Sequence, residues 1–158
     1  MNTRAHRMFA RNTATADTQV RLGVGVIVRN ATGQILLEKR SDNGLWGPPG
    51  GRIEPGESVT EAAVRDVRDE TGLTVAVTRL VGVYSEPADR IVTYLDNGDV
   101  RHLVDVMVEA TILAGTLTCS HESEDLAFYA PEALPSDLVP PARRPLEDYL
   151  DNRLGILR

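Results

Sequence analysis

The residues best suited to chemistry in this chain are four carboxylates in one short stretch: Glu57, Asp66, Asp69 and Glu70. A helix advances by roughly 100° per residue, so Asp66, Asp69 and Glu70 would project from one face. Like charges at this spacing destabilise an isolated helix by about a few tenths of a kcal/mol per pair. Clustered carboxylate oxygens suit Mg²⁺ or Mn²⁺ better than zinc. We therefore predict a divalent-cation site on this stretch.

A single capped helix must position these carboxylates. Pro55-Gly56 is a turn dipeptide, and Ser58 stands three residues before Glu61, which is the spacing of a capping box. The pattern predicts a helix over Val59–Thr71, with Gly72 as the left-handed residue that ends it. Beside the carboxylates, an apolar sector that can pack on a core consists of Ala63, Val64, Val67 and Thr71.

The whole stretch, residues 51–73, resembles the signature of the Nudix hydrolases. That signature is Gly, five residues, Glu, seven residues, Arg-Glu, an aliphatic, any residue, Glu-Glu, any residue, Gly and an aliphatic. The matching positions here are Gly51, Glu57, Arg65-Asp66, Val67, Asp69-Glu70, Gly72 and Leu73. Asp66 and Asp69 stand where the family has Glu, so both keep the carboxylate but are one methylene shorter. Weaker likeness in the flanking segments extends the resemblance over about residues 20–150.

The resemblance implies a metal site and two catalytic residues. Asp69 and Glu70 are expected to ligate the metal, together with the main-chain carbonyl of Gly50. Asp66 matches the position that serves as a metal ligand or as the general base, so we expect Asp66 and Glu70 to be catalytic. Some family members add a carboxylate from a later loop. Glu122 is placed to do so here, although a solvated loop charge explains it equally well.

Three further residues are expected to support the site rather than to react. By resemblance, Arg65 holds the acidic loop, and its partner is Glu57. Gly51, with Gly50, lets the main chain approach a ligand without a side chain in the way. We interpret Trp46 as a packing residue under its loop. His102 and Asp99 stay unassigned, since they lie near an Asn-Gly turn and could also touch a base or sugar. His6, His121 and Cys119 have no assigned role either.

Length and charge limit the class of protein. The chain has 158 residues and a formal net charge of −6, with a pI of about 5.1. This balance argues against nucleic acid as a partner, because phosphate backbones demand clustered Lys and Arg. No apolar run reaches the ~20 residues of a membrane span. The single Cys119 permits no internal disulfide, and we expect a cytoplasmic protein.

Alternating apolar patterns predict a domain of mixed strands and helices. We expect a tail over residues 1–18 and one domain over 19–158. Arg21–Val28 and Gln34–Lys39 are predicted as a β-hairpin, and Val100–Ala110 as a strand with one buried face. A final helix is predicted from Pro140 to about Asn152. The fold implied by the resemblance is α/β (α+β), a mixed β-sheet sandwiched between α-helices.

The expected activity is that of a Mg²⁺-dependent pyrophosphohydrolase, with Mn²⁺ as a possible substitute. A bound cation would neutralise a diphosphate for attack by water. The substrate expected first is a nucleoside diphosphate linked to another group, such as ADP-ribose. The alternatives are a nucleoside triphosphate and, because Asp66 and Asp69 are short, a weakly active nucleotide-binding or regulatory domain. The resemblance also permits a homodimer.

Overall fold

The computed structural model describes residues 13–94 and 97–158, and within these one mixed sheet dominates. Its strands are β1 (Gln19–Arg29), β2 (Ile35–Arg40), β3 (Trp46–Gly47), β4 (Gly50–Arg52), β5 (Leu73–Tyr84), β6 (Ile91–Thr93), β7 (Val100–Gly115), β8 (Ser123–Tyr129) and β9 (Ile156–Leu157). The helices are α1 (Val59–Thr71), α2 (Pro87–Arg90) and α3 (Pro140–Leu150), with a 3-10 turn at Pro131–Ala133. The predicted tail lies mostly outside the described residues.

The strand order is β3-β2-β1-β7-β5-β9, with β4 also beside β1, β6 beside β7, and β8 beside β2. Strands β1 and β7 run parallel along the whole of β1, whereas β5 and β7 are antiparallel. The sheet is therefore mixed, as expected.

Helices cover both faces of this sheet. On one face α1 packs against alternate β1 residues in a core that contains Val24, Val26, Val28, Ala62, Ala63 and Val67. On the other face α3 packs in a core that contains Ile27, Val81, Met107, Ala142, Leu146 and Tyr149. The predicted sandwich is confirmed. No helix of the described part is long and apolar enough to cross a membrane.

Two predictions about strands were wrong in detail. The β1–β2 hairpin is reduced to one residue pair, Arg29↔Ile35, because β7 and β4 occupy the edges of β1 and β2 pairs with β8 instead. Strand β7 does not have only one buried face: Met107 and Val108, which point to opposite faces, are each 4% exposed. The reason is that α3 covers the face that was expected to be solvated.

The remaining predictions about elements were mostly right. The Asn97-Gly98 turn connects antiparallel β6 and β7, although residues 95 and 96 lie outside the described part. Trp46 is buried and packs edge-to-face on Tyr129, with ring centroids 5.3 Å apart. Helix α3 ends at Leu150, two residues before the predicted end. The short elements α2 and β9 were not predicted.

Candidate active site

Helix α1 begins and ends at the predicted residues because its ends carry the expected caps. Ser58 donates its N–H to Glu61 Oε2 at 2.8 Å, and Glu61 returns its own N–H to Ser58 Oγ at 3.2 Å. Gly72 ends the helix with φ of 76° and donates its N–H to the Arg68 carbonyl. The caps fix the bounds of α1 and therefore the helix face on which the three carboxylates lie. The neighbouring structure covers the three side chains to different extents. Asp66 is buried, Glu70 is half-buried and Asp69 is exposed.

Asp66 and Glu70 both line a cleft of about 370 Å³. The cleft runs from the loop that precedes α1, across the sheet face formed by β1 and β7, to the start of α3. Three more of the singled-out residues line it: Gly50, Gly51 and Glu122. The structure thus brings five of the predicted site residues to one cavity.

Glu70 is fastened to the main chain of β4. The Gly50 N–H donates to Glu70 Oε2 at 2.9 Å. Burial raises the pKa of the Glu70 carboxyl to about 9, and the nearby carboxylates of Glu38 and Asp66 add to the effect. Without a cation, Glu70 is therefore protonated at neutral pH. A cation bound there would favour the ionised form.

Asp66 carries an oxygen that has no hydrogen-bond partner in the part of the chain that the structure describes. Arg65 Nη1 donates to Asp66 Oδ1 at 2.5 Å, whereas Oδ2 is buried and unpartnered among the described residues. Burial raises the pKa of Asp66, and this outweighs the opposing effect of Arg65. A Cβ on Gly51 would lie 3.1 Å from Oδ2. The glycine therefore gives this oxygen its space.

The Arg65–Glu57 ion pair fastens the loop to the helix. Arg65 donates from Nε to Glu57 Oε1 at 2.6 Å and from Nη2 to Oε2 at 2.8 Å. Nη2 also reaches the Arg52 carbonyl at 3.1 Å. These bonds from Arg65, helped by the Glu54 N–H, lower the pKa of Glu57 to about 2. Glu57 is thus fully engaged by protein groups, in contrast to Asp66.

Asp69 and Glu122 differ from the other predicted ligands in exposure. Asp69 projects into solvent and does not line the cleft. Glu122 lines the cleft with a side chain that is 64% exposed, and its charge contributes to a raised pKa at Glu38. Ligation by either residue stays a prediction.

The residues present fit a cation that needs few protein ligands. In the described ranges, no group of three or more His, Cys, Asp or Glu side chains is placed to hold one ion. Mg²⁺ is usually bound by one or two carboxylates plus substrate phosphates and several waters, rather than by an all-protein cage. The unpartnered Asp66 Oδ2 and the oxygen-rich surroundings of Glu70 suit that mode.

Two residues that were not predicted, Glu38 and Arg40, are brought to the site by β2. Glu38 is 4% exposed and accepts a hydrogen bond from Ser123 Oγ at 2.6 Å. Arg40 lines the cleft, and Asp42 accepts from its Nε at 3.0 Å and from its Nη2 at 2.9 Å. The sequence did contain a signal for Glu38. It directly follows the apolar run Ile35–Leu37, and an unpaired charge beside a buried strand is costly.

The two histidines in the described part of the chain, His102 and His121, do not line the cleft. His102 Nε2 lies 2.6 Å from the Ser85 carbonyl oxygen, and Asp99 pairs with Arg101 at 2.7 Å. Neither of the two lines the cleft. The His121 side chain is 91% exposed, and His6 lies outside the described residues.

The comparisons with known proteins agree on one family. The NUDIX domain model matches residues 19–149. A Bacillus subtilis protein, provisionally named an 8-oxo-dGTP diphosphatase, is 39% identical over 127 residues, which are 80% of this chain and 78% of that protein. An ADP-ribose pyrophosphatase of Methanocaldococcus jannaschii is 32% identical over 120 residues, which are 74% of this chain and 66% of that protein.

Solved structures show the same fold. The crystal structure of an ADP-ribose pyrophosphatase from Streptococcus suis matches with a TM-score of 0.68 at 23% identity. The match covers 84% of this chain and 90% of that one. At this identity the likeness supports the architecture of the sheet and its two covering helices.

Proposed function

Because this chain belongs to the Nudix hydrolase family, we propose that its cleft hydrolyses the diphosphate bond of a nucleotide with the help of Mg²⁺. The proposal rests on one observation above all. Within the described ranges, Asp66 Oδ2 is buried without a hydrogen-bond partner, on the helix face and in the cleft that also hold Glu70. A buried carboxylate oxygen left unpaired is costly unless a cation completes it.

The residues that would hold the ion are Asp66, Glu70 and the Gly50 carbonyl, with Asp69 and Glu122 as the further candidates. The bound ion would neutralise the diphosphate and lower the pKa of an attacking water. Mn²⁺ has similar ligand preferences and is expected to substitute.

Side chains of the protein would accept the proton, fix the loop and bind the phosphate. In this proposal Asp66 or Glu70 accepts the proton of the attacking water, since both lie in the cleft and have raised pKa values. Arg65 and Glu57 fix the β4–α1 loop and with it the Gly50 carbonyl. Arg40 Nη1, which has no hydrogen bond among the described residues, is available to a phosphate oxygen in the same cleft.

The substrate proposed first is a nucleoside diphosphate linked to another group. Its support is the pair of relatives named ADP-ribose pyrophosphatase, one by sequence and one by structure. A nucleoside triphosphate is the second candidate, because the 39% identical relative carries the name of an 8-oxo-dGTP diphosphatase. The two candidates differ in what leaves: a phosphorylated group in the first, inorganic pyrophosphate in the second.

One assay separates these candidates. Linked nucleoside diphosphates and nucleoside triphosphates would be incubated with Mg²⁺, Mn²⁺ or EDTA. Added phosphatase would reveal the newly exposed monophosphates, and inorganic pyrophosphatase would reveal pyrophosphate. EDTA-sensitive turnover of linked diphosphates without pyrophosphate supports the first candidate, whereas pyrophosphate from triphosphates supports the second. Nucleotide binding without any turnover would contradict the hydrolase and favour a binding or regulatory domain.

Matched variants test the site itself. Glu70→Gln and Asp66→Asn keep the size of each side chain and remove the charge, so each should lower kcat/KM about 100-fold or more. Glu147→Gln is the control, since Glu147 is exposed on α3 and does not line the cleft. Full activity in both site variants would overturn the assignment of the metal site.

A further inference from the structure

Two glycines on β1 leave a trough in the floor of the cleft. Gly23 and Gly25 point to the same sheet face because side chains alternate along a strand. A Cβ at Gly23 would lie 2.6 Å from Asp105 Oδ1, and one at Gly25 would lie 2.4 Å from Met107 Sδ. Asp105 and Met107 of β7 therefore lean over the β1 main chain, and a larger residue at either glycine would require these side chains to move.

Asp105 is held in this position by a buried arginine. Arg90 Nη1 donates to Asp105 Oδ2, and Arg90 Nη2 donates to the Pro141 carbonyl at 2.8 Å. The Arg90 guanidinium also lies over the Tyr84 ring, 5.3 Å from its centroid. Since the Arg90 side chain is 3% exposed, Asp105 has little freedom to rotate. The buried Arg90 thus fixes the orientation of the Asp105 carboxylate from below the cleft floor.

The other oxygen of Asp105 is available to a ligand. The Asp105 side chain remains 23% exposed and lines the same cleft as Asp66 and Glu70. In the ranges that the structure describes, Oδ2 receives the only hydrogen bond made by this carboxylate, the one from Arg90. Oδ1 is thus an acceptor at the floor of the proposed substrate cleft. Burial raises the pKa of the Asp105 carboxyl, and the nearby Arg90 and Arg21 oppose this effect.

The surroundings of this acceptor suit a flat ring better than a phosphate. Leu103 and Met107 lie on either side of Asp105 along the same face of β7, and both line the cleft. At the two glycines of β1, the cleft floor consists of main-chain atoms alone. Arg21 also lines this part of the cleft, and its Nη1 donates to Tyr94 Oη at 2.7 Å. The carboxylate of Asp105 would repel a phosphate, whereas a mainly apolar floor with few polar groups is typical of a pocket for a small aromatic ligand.

We propose that this wall is the base-binding subsite and that Asp105 Oδ1 accepts a hydrogen bond from an amino group of the substrate's base. The inference rests on the proposed function, because it places the base in the cleft whose other end would hold the diphosphate. A site built to bind an N–H group discriminates against an analogue without it, since the buried acceptor is then left unpaired. The matching substrates carry guanine, adenine or cytosine.

The test uses pairs of nucleotides that differ by one amino group. Binding of GMP would be compared with that of IMP, AMP with purine riboside monophosphate, and CMP with pyrimidin-2-one riboside monophosphate, by calorimetry in the presence of Mg²⁺. The wild-type protein should bind one amino member about 10- to 100-fold more tightly than its partner. Because these are product-like ligands, the measurement does not require turnover. Failed hydrolysis and a failed base subsite are therefore distinguishable.

The variant Asp105→Asn tests the same proposal by changing the protein instead of the ligand. Arg90 would retain the amide oxygen as its acceptor, so the amide NH₂ would face the cleft as a donor. The preference for the amino member, measured as the ratio of the two dissociation constants, should disappear or reverse. Asp99→Asn is the matched control, because Asp99 also pairs with an arginine but lies outside the cleft, and it should leave the preference unchanged.

Two results would overturn the proposal. Equal binding of both members of every pair by the wild-type protein would show that Asp105 serves only as the partner of Arg90, and this result does not depend on whether a variant folds. A preference for ribose over 2′-deoxyribose nucleotides that Asp105→Asn removes, without any amino preference, would instead assign the acceptor to a sugar hydroxyl.

Discussion

The amide nitrogen of Gly50 lies 2.9 Å from Oε2 of Glu70, so the strand that leads into the helix and the last turn of that helix meet at one carboxyl group. The same contact places the Gly50 peptide beside the proposed cation. The pKa of about 9 at Glu70 shows that this arrangement favours a proton when no cation is present. Proton and metal should therefore compete for Glu70.

Metal affinity should depend steeply on pH. Below a pKa of about 9 the ion must displace the proton of Glu70, so the affinity for Mn²⁺ should rise by roughly tenfold per pH unit between pH 6 and pH 8 and level off above pH 9. Titration with Mn²⁺, followed by electron paramagnetic resonance of the free ion, measures this. Affinity that is constant over the range would contradict a protonated Glu70.

Stability without metal should fall as the pH rises. The folded-state pKa of Glu70 lies above its ordinary value of 4.5, so the folded protein binds the extra proton between these values. This contribution to the free energy of unfolding is complete below about pH 4.5 and is lost as the pH rises through 9. We expect Tm in EDTA to decrease from pH 6 to pH 9, and less so in Glu70→Gln. An equal slope in both proteins would assign the effect to other groups.

Gly51→Ala should damage the site without unfolding the protein. The added Cβ would lie 3.1 Å from Asp66 Oδ2, and displacing a reacting group by ~1 Å can cost about 100-fold in rate. We expect kcat/KM to fall about 10- to 100-fold with a small change in Tm.

Gly155→Ala is the control for Gly51→Ala. Its left-handed φ of 66° should cost about 1 kcal/mol of stability, yet Gly155 does not line the cleft. Activity should therefore be unchanged. Steady-state kinetics and thermal unfolding of both variants distinguish damage to the site from backbone strain.

Lengthening the Asp69 side chain should change the activity more than removing its charge does. Its exposed side chain does not reach the cleft, so Asp69→Asn should cost less activity than Glu70→Gln. Asp69→Glu adds the methylene found in the Nudix signature and should raise kcat/KM, by about tenfold if reach is limiting. If Asp69→Asn is as inactive as Glu70→Gln, Asp69 already ligates the ion in the loaded enzyme.

Arg65→Lys should loosen the loop although the charge is kept. Lysine cannot reproduce the two-point contact with Glu57 and the bond to Arg52. We expect kcat/KM to fall about 10- to 100-fold, as for other groups that orient metal ligands.

The stability of the same variant should depend less on acid than that of the wild-type protein. The low pKa of Glu57, about 2 against 4.5, contributes stability that is present above pH 4.5 and is lost as the pH falls through 2. Thermal unfolding between pH 3 and pH 7 should show a larger loss of Tm on acidification for the wild-type protein than for Arg65→Lys, because only the wild type has this contribution to lose. Parallel curves would show that the ion pair adds nothing.

Helix α1, its caps and the identity of its carboxylates could all be predicted from the amino-acid sequence. These features depend on residues within about four positions of one another: Ser58 with Glu61, Gly72 with Arg68, and the helical period that aligns Asp66 with Glu70. Local backbone geometry decides such contacts, so spacing alone is informative.

Only the tertiary structure decided which of these groups share an environment. It buried Asp66 and exposed Asp69 on the same helix, and it brought Glu38 from β2 to Glu70. It also reduced the expected β1–β2 hairpin to one residue pair and paired β1 with β7, which places Asp105 over Gly23. These contacts join residues far apart in the chain. They depend on how the sheet is ordered and on which helix covers each face, and short-range patterns carry no information about either.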